Sequence, residues 1–371
     1  MSQHDPSLRT TPLFDRHEEL GAKIGPFGGY AMPITYGSIV QEHLAVRTRA
    51  GVFDVSHMGR LAFRGEAGIN ALERLVTIHV PALTVGHARY GFLLTEDGGV
   101  LDDVILYALT ENERLLVVNA GNREAVLRHV ASLDVEHSCL RDETEGTAMV
   151  AVQGPSARRI LRAALDVVPP EPSMRAVALR WEGTPLVVAT TGYSGEDGVE
   201  IIAPAGKAGE LWDRLVEAGA RPAGLGARDT LRLEMAYPLH GHELSPAITP
   251  WEARLGWALD ARNTSFFGRE RVMERRGESR RTLVGLRALG RGVPRARQRV
   301  LYGGEVVGTV TSGTFSPSLR VGVALAYVDR ECAPEGTSLA VCAEGEDTRQ
   351  LPVEVVPTPF YDRGSRRSSR E

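Results

Sequence analysis

Residues 280–290 read RRTLVGLRALG, and at this stretch the pattern of the chain changes. From here on, short β-rich runs follow one another: RVLYGGEVVGTVTSGTFS (299–316), VGVALAYV (321–328), SLAVCAE (338–344) and LPVEVVP (351–357). Gly, Pro and acidic turns separate them and no helical periodicity intervenes, which predicts a separate small β-barrel or sandwich domain over residues 280–365. Upstream, apolar residues three and four apart predict helices near 69–75, 124–133, 156–165 and 209–218. Strand-like runs such as LLVVNA (115–120) and TPLVVATTGYSG (184–195) lie between them, so residues 1–275 read as α+β with antiparallel hairpins. The clearest single element is YGSIVQEHLAVRTRAGVFDVSHMG (36–59). Ser38 and Gln41 form a capping-box pattern, Val40 and Leu44 recur at helical spacing, Gly51 reads as the stop, and a short strand follows over 51–65. The arginine-dense RERVMERRGESRR (269–281) reads as a linker or its flanking helix, and DRGSRRSSRE (362–371) as a frayed basic tail.

The chain has 371 residues, enough for two or three packed domains, with 43% hydrophobic and 24% charged residues, an ordinary globular balance. A net charge of -4 gives no overall attraction to nucleic acid or to an acidic membrane. Among 43 basic residues only Lys23 and Lys207 are lysines, which leaves little scope for Schiff-base chemistry. The start lacks a signal-peptide apolar core, and no stretch reaches membrane-spanning length. Cys139, Cys332 and Cys342 lie far apart without CxxC spacing, against a disulfide framework or a cysteine zinc site. A cytoplasmic protein is expected.

Several motifs fail as chemistry. GLGARD (224–229) lacks the third glycine of a dinucleotide loop, GYSGEDG (192–198) is not a nucleophile elbow, and HGHE (240–243) lacks a third metal ligand and reads as turn and surface. Four segments place polar residues where an apolar pattern would not ask for them. These are VFDVSHMG (52–59), GGVLDDVILY (98–107) with VVNAGN (117–122), TGYSGEDGVEI (191–201), and RPAGLGARDTLRLEMAYPLHGHEL (221–244). In the second, strand alternation turns Asp102 and Asp103 to opposite faces, and Asp103 shares its face with Ile105 and Tyr107. Either aspartate could instead satisfy backbone amides beside the glycine turn. Glu200 could form a structural ion pair with Arg228, and His57 and Met58 could be a turn and a core plug. Together the segments suggest a site that holds a polar aromatic ligand and stabilises charge without a covalent nucleophile.

These segments, with TPLFDRHEELGAKIGPFGGYAMPITYGSI (11–39) and TSGTFSPSL (311–319), resemble the aminomethyltransferase family of the glycine cleavage system, the T-proteins. The resemblance runs in order from Thr11 to Arg363. It implies a three-lobed molecule, with a folate-binding body of two α+β lobes followed by a C-terminal β-barrel. It implies transfer of the one-carbon unit of the aminomethyl group on the lipoylated H-protein to tetrahydrofolate, giving 5,10-methylenetetrahydrofolate, ammonia and the dihydrolipoyl H-protein. It also implies Asp103 as the essential acid, Glu200 as the pterin-binding carboxylate and Arg228 as its support or a direct ligand contact. Met58, Tyr90, Tyr107, Asn119 and Tyr193 would line the folate site, Arg363 would contribute from the C-terminal end, and Asp102 would cap. No metal, flavin or nucleotide, no nucleic acid and no membrane partner is expected. The sequence departs from the family at LHGHEL (239–244), where Tyr-Gly is usual. Flavin-linked dimethylglycine and sarcosine oxidising enzymes share such folate loops but need a further domain. Folate-binding accessory proteins of iron–sulfur assembly carry a cysteine motif that the three cysteines here do not form. The arginines of 269–299 could dock an acidic H-protein or form a solvated surface interleaved with Glu270, Glu274 and Glu278.

Overall fold

A computed structural model describes residues 5–133, 137–343 and 350–368. Its strands form two open sheets and a closed six-stranded barrel, beside a small hairpin of Lys23–Phe27 and Tyr30–Thr35. The first open sheet orders Ala176–Trp181, Thr184–Ala189, Gly198–Pro204, Thr147–Gln153, Gly51–Asp54 and Arg221–Pro222. The second orders Ala88–Leu94, Val100–Thr110, Glu113–Val118, Gly59–Arg64 and Leu140–Asp142. The barrel closes through Arg281–Ala288, Val321–Asp329, Glu305–Ser316, Arg299–Tyr302, Ser338–Cys342 and Leu351–Val356, the β-rich runs read above. The expected helices form at Gly65–Leu75, Arg123–Ser132, Ala157–Leu165 and Ala208–Glu217. The last two cover one face of the first sheet, where Ile160, Leu161, Leu211 and Trp212 pack on Val150, Val188, Val199 and Ile201.

The other face of that sheet meets the second sheet. Their shared core joins Phe53, Met149, Ala151 and Ile202 from the first to Ala62, Tyr107, Leu115 and Val117 from the second, with Ala227 and Leu231 from helix Leu225–Glu234. Polar residues facing this seam are therefore brought together from two lobes, which makes it the candidate site.

The segment 36–65 departs from its reading in four ways. Ser38 Oγ does cap helix Ile39–Thr48 by accepting Gln41 N–H at 3.3 Å, but the Gln41 side chain turns away to accept from Arg221 at 3.1 Å. Val40 and Leu44 are 44% and 40% exposed, while Glu42, His43 and Arg47 are buried. Gly51 opens a strand rather than stopping the helix; a Cβ there would stand 2.6 Å from Val46 Cγ2. The single expected strand is two strands in different sheets. Between them Asp54 Oδ1 accepts Ser56 N–H at 2.9 Å, an Asx turn that re-aims the chain.

The buried side of helix Ile39–Thr48 ties the body to the barrel. Arg47 pairs with Glu196 and Glu234, each at 2.8 Å, and Glu234 also accepts from Ser316 at 2.5 Å and Ser318 at 2.8 Å in the barrel. The expected free tail is held as well: Ser365 N–H and Oγ both donate to Glu196, at 2.8 and 2.6 Å, and a helical turn runs over Ser365–Ser368. Residues 369–371 lie outside the described residues.

Two buried carboxylates are expected to lose their stabilising contribution in acid. Burial alone would raise Glu234, yet the hydrogen bond and charge of His43, then Arg47 and Ser316, hold it at about 2, against an ordinary 4.5. Burial likewise opposes Asp54, and hydrogen bonds from His17, Ser56 and Thr11 hold it at about 2, against 3.8. Both are depressed on folding, so their contribution is complete above about pH 4.5 and is lost as pH falls toward about 2. Near-UV circular dichroism followed from pH 6 to pH 2 is expected to lose its signal in that window; a flat trace would remove both carboxylates from the stability account.

Candidate active site

The strand Val100–Thr110 is the centre of the candidate site. Asp103 faces Phe92 across the ladder and Asp102 faces Leu93, so the two carboxylates diverge as alternation requires. Asp102 lies on the side of Val104 and Leu106 and is fully buried. It accepts Asn119 N–H at 3.0 Å, Asn119 Nδ2 at 2.8 Å and Asn122 Nδ2 at 2.7 Å, which fixes the turn of 119–122 rather than the hairpin beside Gly98. Asp103 lies on the side of Ile105 and Tyr107, facing the seam. Its Oδ1 accepts from Asn119 Nδ2 at 2.8 Å and its Oδ2 from Tyr90 Oη at 3.1 Å. One amide thus bridges both acids, and Asn119 acts here as a clamp whose nitrogen is engaged.

Burial raises both carboxylates above their ordinary range, and for Asp102 the neighbouring Asp103 adds to it. For Asp103 the bonds from Asn119 and Tyr90 and the charge of His240 oppose burial without cancelling it. Burial therefore outweighs the groups that favour the carboxylate, a balance that could not be read from sequence.

Four positions along the same strand, Tyr107 reaches across the seam. Its hydroxyl lies 3.1 Å from Thr191 Oγ1 and donates to Glu200 Oε2 at 3.3 Å. Glu200 sits on strand Gly198–Pro204 between Val199 and Ile201, which face the helices of the first lobe, so alternation points Glu200 into the seam. Thr191 Oγ1 also donates to Glu200 Oε2. Both bonds fall on Oε2, which leaves Oε1 for a further donor.

Arg228 does not form an ion pair with Glu200 among the described residues. Its guanidinium lies 5.0 Å from the centroid of the Tyr193 ring, within electrostatic reach of Glu200. Arg228 is the fourth residue of helix Leu225–Glu234. Tyr193 stacks on Tyr237 at 5.7 Å and donates to the Pro238 carbonyl. Met58 packs on the Tyr107 side of the core, and its carbonyl accepts from the buried Arg60 at 2.5 Å. Arg363 is exposed after the last barrel strand, and among the described residues no hydrogen bond joins it to this group.

Three contributors escaped the sequence reading. Thr191 and Asn122 are short polar residues in loops, with no periodicity to mark them. The HGHE segment reads as turn and surface, and it is a turn with Gly241 and His242 exposed, yet Glu243 is fully buried and paired with Arg232 at 2.9 Å. The polar residues between Leu239 and Leu244 were the signal. Cys332 and Cys342 are buried in the barrel, and no group of three His, Cys, Asp or Glu among the described residues could hold a metal ion. No described helix is long and apolar enough to cross a membrane.

The GCVT N-terminal domain family matches residues 13–263, and the glycine cleavage T-protein C-terminal barrel domain matches residues 281–362. The chain is 46% identical to an aminomethyltransferase of Rubrobacter xylanophilus, over 96% of this chain and 95% of that protein. It is 43% identical to one of Geobacillus kaustophilus, over 96% and 99%. The crystal structure of the glycine cleavage system aminomethyltransferase T from Bartonella henselae superposes with a TM-score of 0.90 at 34% identity, covering 96% of this chain and 99% of that one. These likenesses define the class: an enzyme of the aminomethyltransferase type. The chain belongs to the glycine cleavage T-protein family.

Proposed function

We propose that the seam between the two lobes binds tetrahydrofolate and that the chain transfers to it the one-carbon unit of the aminomethyl group carried by the lipoylated H-protein. The products are 5,10-methylenetetrahydrofolate, ammonia and the dihydrolipoyl H-protein. The observation that carries this reading is the pair of seam-facing carboxylates, Asp103 and Glu200, on facing sheets and joined through Tyr107. In the transfer the two folate N–H bonds and the carbon's bonds to sulfur and to the amino nitrogen break. Two N–C bonds form, and the two protons leave with the thiol and the ammonia. The carbon passes through an iminium-like cation, which the Asp103 carboxylate stabilises from a fixed position. The folate nitrogen is the nucleophile, so the protein needs none.

Glu200 Oε1 is open to a ring N–H and exocyclic amine of the pterin, donors that a carboxylate accepts more strongly than an amide. Glu200→Gln is expected to raise KM for tetrahydrofolate about 10- to 100-fold, the worth of one hydrogen bond to a charged group. An unchanged KM would remove Glu200 from the pterin contact. Formation of methylenetetrahydrofolate from aminomethyl-loaded H-protein tests the whole reading, and no product from the wild-type protein overturns it.

For the arginine-dense junction, a solvated and internally paired surface fits better than H-protein docking. Arg281 and Arg275 both reach Glu252, at 2.9 and 3.8 Å, and Arg276 lies over Trp251 at 5.2 Å. Reversing these charges is expected to leave the salt dependence of the apparent KM for H-protein unchanged; a flattened salt dependence would restore docking here.

A further inference from the structure

The GYSGEDG stretch (192–198) is wrapped around one buried side chain, Gln153, the last residue of strand Thr147–Gln153. Gln153 Nε2 donates to the carbonyls of Thr191 and Val152, at 3.2 and 3.3 Å, and Oε1 accepts from Ser194 Oγ at 2.8 Å. Ser194 Oγ in turn accepts Glu196 N–H at 3.2 Å, and Arg47 reaches the Ser194 carbonyl at 2.7 Å. The amide of Gln153 lies in a slot between two stretches of backbone. A Cβ on Gly192 would stand 2.0 Å from its Oε1, and one on Gly198 2.4 Å from its Nε2, so only glycine at both ends admits it. From outside, the end of the chain holds the same stretch. Ser365 Oγ accepts Asp197 N–H at 2.8 Å, and Arg366 donates to the Gly192 carbonyl at 3.4 Å.

Thr191 immediately precedes this stretch and is 2% exposed. Its carbonyl is fixed by Gln153, and its hydroxyl donates to Glu200 Oε2. Tyr107 Oη lies 3.1 Å from that hydroxyl and 3.3 Å from the same carboxylate oxygen, so three oxygens from the two lobes form a closed triangle. A hydroxyl has one proton, and a carboxylate is a stronger acceptor than a phenol, so the Thr191 proton goes to Glu200. The Tyr107 proton has two acceptors to choose from. When it goes to Thr191 Oγ1, the two bonds run in series and strengthen each other. In both arrangements Thr191 is the donor that stays on Glu200. A glutamate side chain ends in a soft torsion, so the plane of its carboxylate is set by what its oxygens touch. With Oε2 pinned, the direction of Oε1 is fixed as well.

We infer that Thr191 is a positioning residue for ligand binding: anchored through its carbonyl to Gln153, it pins Glu200 Oε2 so that Oε1 is presented to the N–H donors of a pterin. This rests on the folate reading above. The one Thr191 proton is engaged by Glu200, so the residue acts on binding through that carboxylate rather than on the transfer step. Holding the acceptor in place before the ligand arrives spares the cost of ordering it on binding.

Thr191→Val keeps the shape of the side chain and removes the donor. It is expected to raise Kd and KM for tetrahydrofolate about 5- to 10-fold, with kcat within about twofold of wild type. Thr191→Ser keeps the hydroxyl and is expected to stay within about twofold of wild type in all three. A residue that only supports the fold would lower stability without this split. A double-mutant cycle with Glu200→Ala tests the route: once the carboxylate is gone, Thr191→Val is expected to change Kd by less than about twofold. Full additivity, an unchanged Kd in Thr191→Val, or a serine variant as impaired as the valine one overturns the inference. The crystal structure of Thr191→Val gives a readout that needs no folate. The Glu200 carboxylate is expected to leave its present torsion, and an unmoved carboxylate overturns the inference. If wild type binds no tetrahydrofolate, the folate reading fails, and that crystal structure still decides whether Thr191 holds Glu200. If Thr191→Val does not fold, Thr191→Cys, whose thiol donates only weakly, takes its place with the same expectations.

Discussion

Asp103→Asn is expected to lower the rate of one-carbon transfer about 100- to 1000-fold while leaving tetrahydrofolate bound. The substitution keeps the shape of the side chain, and an amide oxygen can still accept from Asn119 or Tyr90. It removes the charge. A preorganised charge aimed at a developing cation acts only in the transition state, so kcat falls and KM does not, by about 3–4 kcal/mol of barrier. Asp102→Asn supplies the contrast. Among the described residues Asp102 accepts three N–H groups, and an amide would turn a donor toward one of them. That variant is expected to lose about 1–3 kcal/mol of stability and to retain more turnover than Asp103→Asn. Single-turnover kinetics on both variants with loaded H-protein, beside denaturation curves, separates the roles. Near-normal turnover in Asp103→Asn with folate still bound would show that the charge at 103 is not the one the reaction uses.

Arg47→Met is expected to destabilise the protein by about 3–5 kcal/mol. The methionine fills much of the volume, so the loss is not chiefly a cavity. Arg47 is the counter-ion of two buried carboxylates: it donates to Glu196 at 2.8 Å and to Glu234 at 2.8 and 3.2 Å, and also reaches the Ser194 carbonyl at 2.7 Å. Its guanidinium lies 4.2 Å from the centroid of the Tyr361 ring, beyond the last barrel strand. Without it, two negative charges remain in a junction that water does not reach, and Glu234 takes up a proton at higher pH. The acid-labile window described above should therefore move upward in Arg47→Met. Adding Glu234→Gln is expected to recover part of the loss, because a neutral pair no longer carries the desolvation cost of an unmatched charge. Urea denaturation followed separately by body and barrel probes is the suitable measurement, since a chain of several lobes need not unfold in one step. A loss below about 1 kcal/mol would mean that the junction is held by packing alone.

Parts of this molecule were legible in one dimension. Gly65–Leu75, Ala157–Leu165 and Ala208–Glu217 each carry apolar residues every three or four positions, because each lays one face on a sheet. The barrel strands announce themselves by length and by the turns between them. Asp103 and Glu200 were legible as exceptions, carboxylates placed in apolar strands where the pleat assigns each a face. Helix Ile39–Thr48 shows the limit of such reading. Its apolar Val40 and Leu44 face solvent and its charged residues are inside, because Glu234 and Glu196 arrive from distant sequence to meet Arg47. Within the HGHE turn only Glu243 departs from the reading as surface, for the same reason, since its partner is Arg232 on the preceding helix.

The sequence by itself determined the helices near 69–75, 124–133, 156–165 and 209–218, where the β-only region begins, and which face of its strand Asp103 occupies. These follow from periodicity and turn chemistry, which act over a few residues. Only the tertiary structure decided that Asn119 bridges both aspartates, that Tyr107 reaches Glu200 on another sheet, and that Arg228 lies over Tyr193. Those outcomes depend on distances between residues far apart in the chain and on how much water remains between them. Neither quantity exists until the lobes have packed.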